Sequence, residues 1–97
     1  MEVVWTPQAR ADREAIYDHI ERENPHAALE LDEQFGRRAG QLVAHPMIGR
    51  AGRVELTREL VVRPNYLLVY DIRGDLIRIL RVLRASQRWP PETRESN

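Results

Sequence analysis

Residues 58–83 read RELVVRPNYLLVYDIRGDLIRILRVL, and this stretch decides the fold. It contains three segments rich in Val, Ile, Leu and Tyr, which span residues 58–62, 66–72 and 76–83. The segments are separated by short tripeptides that contain Pro and Asn or Gly and Asp, residues that favour tight turns. The stretch therefore predicts three consecutive antiparallel strands.

Side chains should alternate between the two faces of the last strand. Simple alternation places Ile77, Ile79 and Leu83 on one face and Arg78, Leu80 and Val82 on the other. Arg81 then lies between core-facing residues, and a half-buried arginine needs a carboxylate partner. We expect Glu59 or Asp71, on the neighbouring strands, to be that partner. Residues beyond Leu83 are expected to leave the sheet.

The sequence before this stretch has helical periodicity. Thr6-Pro7 and Asn24-Pro25 each have the form of an N-cap followed by proline at the first helical position. Core-facing positions recur every three or four residues in both segments. They are Ala9, Arg13, Ile16 and Ile20 in the first helix, and Ala28, Leu31, Phe35, Ala39 and Leu42 in the second. Two helices joined by a tight turn are predicted, with Pro46 preventing further continuation.

The predicted fold class is α+β in two layers, with the order β-α-α-β-β-β. A short extended segment, Glu2–Trp5, should pair at an edge of the sheet, and one face of the sheet should meet the helical hairpin. A chain of 97 residues is one domain by length. We assign residues 1–90 to this domain and residues 91–97 to a flexible C-terminal tail.

Composition excludes several kinds of chemistry. The chain has no cysteine, so it has no disulfide, no thiol nucleophile and no Cys-ligated zinc. No apolar run approaches the roughly 20 residues needed to cross a bilayer, and the N-terminus does not resemble a secretory signal. No metal-ligand cluster and no cofactor are predicted. We expect a soluble cytoplasmic protein with no membrane association.

Charge is distributed unevenly along the chain. Residues 1–48 hold five Arg and nine acids, a net of −4, whereas residues 49–97 hold ten Arg and six acids, a net of +4. All fifteen basic residues are Arg, whose planar fork suits carboxylate and phosphate. The second half therefore predicts a surface that attracts an acidic or anionic partner.

Several motifs occur in one order along nearly the whole chain. They are the opening Val3-Val4-Trp5-Thr6-Pro7, Asn24-Pro25 before a long helix, His45-Pro46, Gly49-Arg50, Thr57-Arg58-Glu59-Leu60, Tyr66-Leu67-Leu68-Val69-Tyr70 and Ile79-Leu80-Arg81-Val82-Leu83. This sequence, over about residues 2–90, resembles the RelE/ParE superfamily of type II toxin-antitoxin toxins and lies closer to ParE. Toxins of the RelE type cut messenger RNA on the ribosome, and those of the ParE type poison DNA gyrase.

The chain departs from the RelE type in ways that favour the ParE type. RelE-like toxins carry an arginine directly after the first tyrosine of a central strand, where this chain has Leu67. They use lysines, arginines and a tyrosine near the C-terminus, or Glu and His in some relatives, for RNA cleavage; this chain has no lysine, and residues 85–90 contain neither Tyr nor His. The chain departs from ParE at one position: many ParE-like chains have a histidine where this one has Arg84, so a role particular to that imidazole does not carry over. The resemblance thus implies a gyrase inhibitor that blocks replication, with an mRNA endonuclease and a non-toxic binding module on the same scaffold as alternatives.

Candidate site residues follow from this reading. Because Arg and Trp are enriched in interface hot spots, the predicted target-binding residues are Arg81, Arg84, Arg88 and Trp89. If the protein were a ribonuclease, its catalytic residues would be Arg58, Glu59, Arg81 and Arg84. No catalytic role is assigned to His19, His26 or His45, which lie in the helical half or at its end.

The resemblance also implies a partner, a small antitoxin with a DNA-binding N-terminus and an amphipathic C-terminus, in a hetero-oligomer with the toxin. Its acidic, partly apolar segment should cross the arginine-rich sheet and pack beside the helical hairpin. The residues expected to contact it are Leu31, Phe35, Arg58, Tyr70, Arg78 and Arg81.

Overall fold

A computed structural model describes residues 1–90, and the predicted tail at 91–97 lies outside the described residues. The elements, in chain order, are β1 (Glu2–Trp5), α1 (Pro7–Glu21), α2 (Pro25–Gln41), β2 (Arg50–Ala51), β3 (Arg58–Arg63), β4 (Tyr66–Arg73) and β5 (Leu76–Arg84). The five strands form one sheet in the order β1-β5-β4-β3-β2. The predicted α+β fold class is confirmed, including the hairpin of helices and the antiparallel meander β3-β4-β5.

Both predicted helix starts are capped as the sequence indicated. The Thr6 hydroxyl accepts from the amide of Ala9 at 3.2 Å, and the Asn24 side chain accepts from the amide of Ala27 at 3.0 Å. Each cap is followed by proline, which has no amide hydrogen to leave unpaired at the first helical position. The Thr6 hydroxyl also donates to the carbonyl of Leu80, which attaches the start of α1 to β5.

The sheet contains two features that the sequence did not predict. Strand β1 runs parallel to β5 and pairs with Leu76–Ile79, at the sheet edge opposite β2. The two-residue β2 pairs with Arg58 and Glu59 of β3 and forms the other edge. A two-residue strand carries no detectable alternation of apolar and polar residues, so periodicity could not reveal it.

A bulge in β5 overturns the simple alternation predicted for this strand. Val69 of β4 lies opposite Arg81 and Tyr70 lies opposite Ile79, so Leu80 is an extra residue. Val82 consequently packs on the helix side of the sheet and Leu83 on the other side, the reverse of the prediction.

The apolar residues form two clusters on opposite faces of the sheet. The larger cluster lies between the sheet and the helices, and its largest buried side chains include Phe35, Leu42, Leu68, Tyr70, Ile77 and Ile79. The smaller cluster, here called the outer cluster, consists of Leu67, Val69 and Leu83, with Leu80 and Trp89 packed against it. The sheet is therefore apolar on both faces, although only one face carries helices.

Arg13 is a charged residue in the apolar stripe of α1, and its contacts explain this position. Its guanidinium lies 4.6 Å from the centre of the Trp5 ring and donates to Asp32 of α2 at 2.6 Å. The aliphatic stem is thus covered while the charge is paired, which stabilises the contact between α1 and α2. Among residues 1–90, no helix is long and apolar enough to cross a membrane.

Candidate target-binding surface

Arg81 pairs with a helix and not with a neighbouring strand. Its guanidinium donates to both carboxylate oxygens of Asp12 in α1, at 2.7 and 3.1 Å. Asp12 also accepts from the amide of Val82 at 2.9 Å. Strand β1 pairs with β5 only as far as Ile79. Beyond that point, the carboxylate of Asp12 accepts the hydrogen bond from the edge of β5. The prediction that Glu59 or Asp71 pairs with Arg81 is therefore wrong.

Asp71 pairs instead with Arg78, directly opposite on β5. The guanidinium donates twice, at 2.9 and 2.6 Å, which is the bidentate geometry favoured by Arg and carboxylate. These hydrogen bonds raise the pKa of Arg78 above its ordinary value. Arg78, like any guanidinium, is a fixed cation at every physiological pH.

The carboxylate of Glu59 is buried, with its side chain only 2% exposed. It lies 3.3 Å from Nη2 of Arg50 and 3.2 Å from Nε of Arg53, and it accepts from the amide of Arg53 at 3.1 Å. One negative charge thus meets two guanidinium groups. Glu59 holds the loop between β2 and β3, and its buried, fully engaged carboxylate is poorly placed to act as a base.

Three of the four residues named for ribonuclease chemistry have separate partners, and the fourth lines a cleft. Arg58 donates to the carbonyl oxygens of Gly49 and Met47, while Glu59 binds the β2–β3 loop. Arg81 is paired with α1. Arg84 is exposed and lines a cleft of about 340 Å³ beside α1, together with Asp12, His19, Tyr66 and Gln87. No hydrogen bond or ion pair of the described residues joins any two of these four side chains.

Three of the residues expected to contact an antitoxin belong to the core. Leu31, Phe35 and Tyr70 are 2%, 1% and 0% exposed, so a partner could reach them only by opening the fold. We therefore withdraw them as direct contacts. Helical periodicity identified Leu31 and Phe35 correctly as the inward face of α2, and inward positions are the ones a partner does not touch.

Tyr70 has a structural role at the loop before β2. Its hydroxyl donates to the carbonyl of Pro46 at 2.7 Å and accepts from the amide of Gly49 at 3.0 Å. A side chain at position 49 would lie within 2.7 Å of the Tyr70 ring, which explains why this position is glycine. The ring and the glycine together fix the path of the chain into β2.

Replacing Tyr70 with phenylalanine should lower the free energy of unfolding by about 1–2 kcal/mol, because a buried amide and a carbonyl lose their partner. Urea denaturation measures this effect. Tyr17→Phe is the control, since Tyr17 has no hydroxyl contact among residues 1–90, and its change should be near zero. Equal stabilities of Tyr70→Phe and the wild type would contradict the structural role.

The C-terminal segment does not project away from the sheet as expected. Trp89 is half-buried and packs on the outer cluster. The amide of Ala85 donates to the carbonyl of Asn65 at 2.9 Å, and Arg53 donates to the carbonyl of Gln87 at 3.1 Å. Of the predicted target-binding residues, Arg84 and Arg88 are exposed, Trp89 is shared with the fold, and Arg81 is engaged by Asp12.

Sequence reasoning missed Asp12 and Arg53 as organising residues. Asp12 is one of several acids along α1, and nothing in its local sequence distinguishes it from Asp18. Its role depends on where β1 ends along β5, which only the tertiary structure shows. Within residues 1–90 there is no group of three or more His, Asp or Glu side chains that could hold a metal ion.

Comparisons with known proteins agree with this architecture. The family model "ParE toxin of type II toxin-antitoxin system, parDE" matches residues 3–89. A putative toxin, Y4kP, of Sinorhizobium fredii is 37% identical over 87 residues, which cover 89% of this chain and 90% of the relative. Toxin RelE2 of Caulobacter vibrioides is 37% identical over 86 residues, covering 89% of this chain and 97% of the relative.

A solved structure from the chromosomal ParDE TA system of P. aeruginosa superposes with a TM-score of 0.77 at 33% identity, covering 87% of this chain and 95% of that one. The fold and these relatives define a small toxin of the RelE/ParE superfamily. More narrowly, the chain belongs to the ParE toxin family of type II toxin-antitoxin systems.

Proposed function

We propose that this toxin inhibits DNA gyrase in the cytoplasm, blocks replication, and is neutralised by a cognate antitoxin in a toxin-antitoxin hetero-oligomer. The observation that carries the choice of target is the outer cluster. Leu67 stands where the resemblance places an arginine in RNA-cleaving toxins, and it is buried against Val69, Leu83 and Trp89. An apolar patch in this place offers no charge to a phosphate.

The distribution of arginines also supports a binding protein over a ribonuclease. Cleavage of RNA requires a base, an acid and cations that converge on one phosphate. Here Arg58, Arg78 and Arg81 are each held by an intramolecular acceptor. Arg84 remains exposed at the mouth of the cleft beside α1. Arg88 is also exposed and directly precedes the partly covered Trp89, a combination suited to a protein interface.

The test uses two purified systems in parallel. Gyrase supercoiling should be inhibited by the protein, and messenger RNA on programmed ribosomes should stay intact. Arg84→Ala should weaken gyrase inhibition by about tenfold, the effect of losing an interface contact of roughly 1.4 kcal/mol. Arg22→Ala is the matched control, because Arg22 is also exposed but lies at the end of α1.

Two other results would contradict the proposed function and favour one of the alternatives. Cleavage of message without gyrase inhibition would assign the ribosome-dependent endonuclease. Failure to arrest growth when the protein is expressed without an antitoxin would favour a non-toxic binding module.

The antitoxin is proposed to be an acid-bearing chain that contacts Arg58, Arg78 and Arg81. Each of these guanidinium groups carries five N–H donors and uses only part of them within the toxin, so further acceptors can be bound. Affinity should come mainly from apolar anchors of the antitoxin, with its carboxylates adding association rate and register. Stopped-flow association at increasing salt tests this: an association rate that does not fall with ionic strength would contradict the electrostatic contribution.

Single replacement of His19, His26 or His45 by alanine should leave toxicity unchanged. All three side chains are exposed, and the proposed function gives histidine no proton-transfer step. His19 is the informative position because it lines the same cleft as Arg84. Growth arrest by each variant at equal expression is the measurement. Loss of arrest in a folded His19→Ala protein would shift support to ribonuclease chemistry.

A further inference from the structure

Leu56 is the most exposed large apolar side chain among the described residues, at 88%. Its φ angle is 69°, in the left-handed region that only glycine and, less often, Asn or Asp adopt readily. A leucine here is thus doubly unfavourable for the isolated protein, since it exposes apolar surface to water and strains the backbone. Backbone strain of this kind persists where the surrounding structure imposes it, and it concentrates at functional sites.

The surrounding loop is built to hold that conformation. The amide of Gly52 donates to the carbonyl of Thr57 at 2.8 Å, and both the amide and the hydroxyl of Thr57 donate to the carbonyl of Val54, at 3.1 and 2.6 Å. A Cβ atom at position 52 would collide with the Thr57 hydroxyl, so glycine is required there. Together with the buried Glu59, these bonds fix the loop from both ends and direct Leu56 into solvent.

The loop is also joined to the proposed target-binding surface. Arg53 donates to the carbonyl of Gln87, between Arg84 and Trp89, so the loop and the C-terminal segment form one continuous surface. The two stretches, residues 50–59 and 84–90, carry a positive net charge, since five arginines, at positions 50, 53, 58, 84 and 88, exceed two acids, Glu55 and the buried Glu59. A partner that fits must therefore present an apolar socket bordered by carboxylates.

We propose that Leu56 is an anchor of the target-binding surface, and that it inserts into an apolar, acid-rimmed socket on gyrase. This inference rests on the proposed function, because gyrase is the partner it names. The preformed loop lets the side chain bind without first being ordered, which favours affinity. Burial of Leu56 in the complex also removes the apolar surface that the free toxin exposes.

The experiment compares the wild type with Leu56→Asn in gyrase supercoiling and in thermal unfolding. Asparagine tolerates the left-handed region and removes the apolar anchor. Inhibition should weaken by about tenfold or more, the effect of losing an interface anchor. The unfolding temperature should stay the same or rise by a few degrees as strain is relieved. Leu29→Asn is the control, because Leu29 is also exposed, at 49%, but lies on α2, and its inhibition should be unchanged.

Failure of this inference and failure of the proposed function give different results. If the wild type inhibits gyrase and Leu56→Asn is equally potent, Leu56 is not an anchor, and the proposed function stands. If Leu56→Asn no longer inhibits gyrase and its unfolding temperature also falls by several degrees, Leu56 has a structural role and is not an anchor. A change from dimer to monomer in sedimentation would assign Leu56 to self-association and overturn the inference. A wild type that leaves gyrase unaffected overturns both proposals.

Discussion

Ending the chain after Leu83 should destabilise the domain by about 2–3 kcal/mol, while ending it after Pro90 should leave stability unchanged. A tryptophan buries roughly 150–250 Å² when fully covered, and half of that area at about 25 cal/mol per Å² gives the expected loss from Trp89 alone. The truncated chain also loses the hydrogen bonds of Ala85 to Asn65 and of Arg53 to Gln87. The outer cluster would then face water.

Thermal unfolding of the two truncated proteins measures this effect. For a domain of this size, 1 kcal/mol corresponds to a shift of roughly 4–8 °C in Tm, so the shorter protein should melt more than about 8 °C below the longer one. Equal melting temperatures would show that the segment after β5 adds nothing to the fold. Because a large loss of stability would by itself reduce toxicity, point variants such as Arg84→Ala are the better probe of the target surface.

Replacing Asp12 with alanine should cost about 2–3 kcal/mol of unfolding free energy. The change leaves the Arg81 guanidinium, whose side chain is only 19% exposed, and the amide of Val82 without their acceptor. Breaking a fully buried pair costs roughly 3–5 kcal/mol, and the residual exposure of this one reduces the expected value. Urea denaturation gives the number directly.

A control and a double variant test the cause. Asp18→Ala lies on the same helix at an exposed position, and it should change stability by no more than about 0.5 kcal/mol. Adding Arg81→Met to Asp12→Ala should recover part of the loss, because no unpaired charge is then left beside α1. Equal costs for Asp12→Ala and Asp18→Ala would mean that the pair with Arg81 contributes nothing.

Much of the fold could be predicted because it is encoded locally. The caps at Thr6 and Asn24 and the stripe through Leu31 and Phe35 are short-range signals of a helix. The β-rich segments from residue 58 onward and the turn at Gly74, whose φ is 59°, are equally local. These features determined the elements and their order, and the family followed from their arrangement along the chain.

The candidate site depended on contacts between residues far apart in sequence. Arg81 could pair with any carboxylate that the fold brought near, and the end of β1 together with the bulge at Leu80 selected Asp12, 69 residues away. Trp89 looked available for a partner because nothing in its own segment shows the apolar face it covers. Sequence alone therefore determined the two helices, four of the five strands and the excess of arginine over acid in residues 49–97. Only the tertiary structure decided which arginines are neutralised, because a charge is paired by what lies next to it in space.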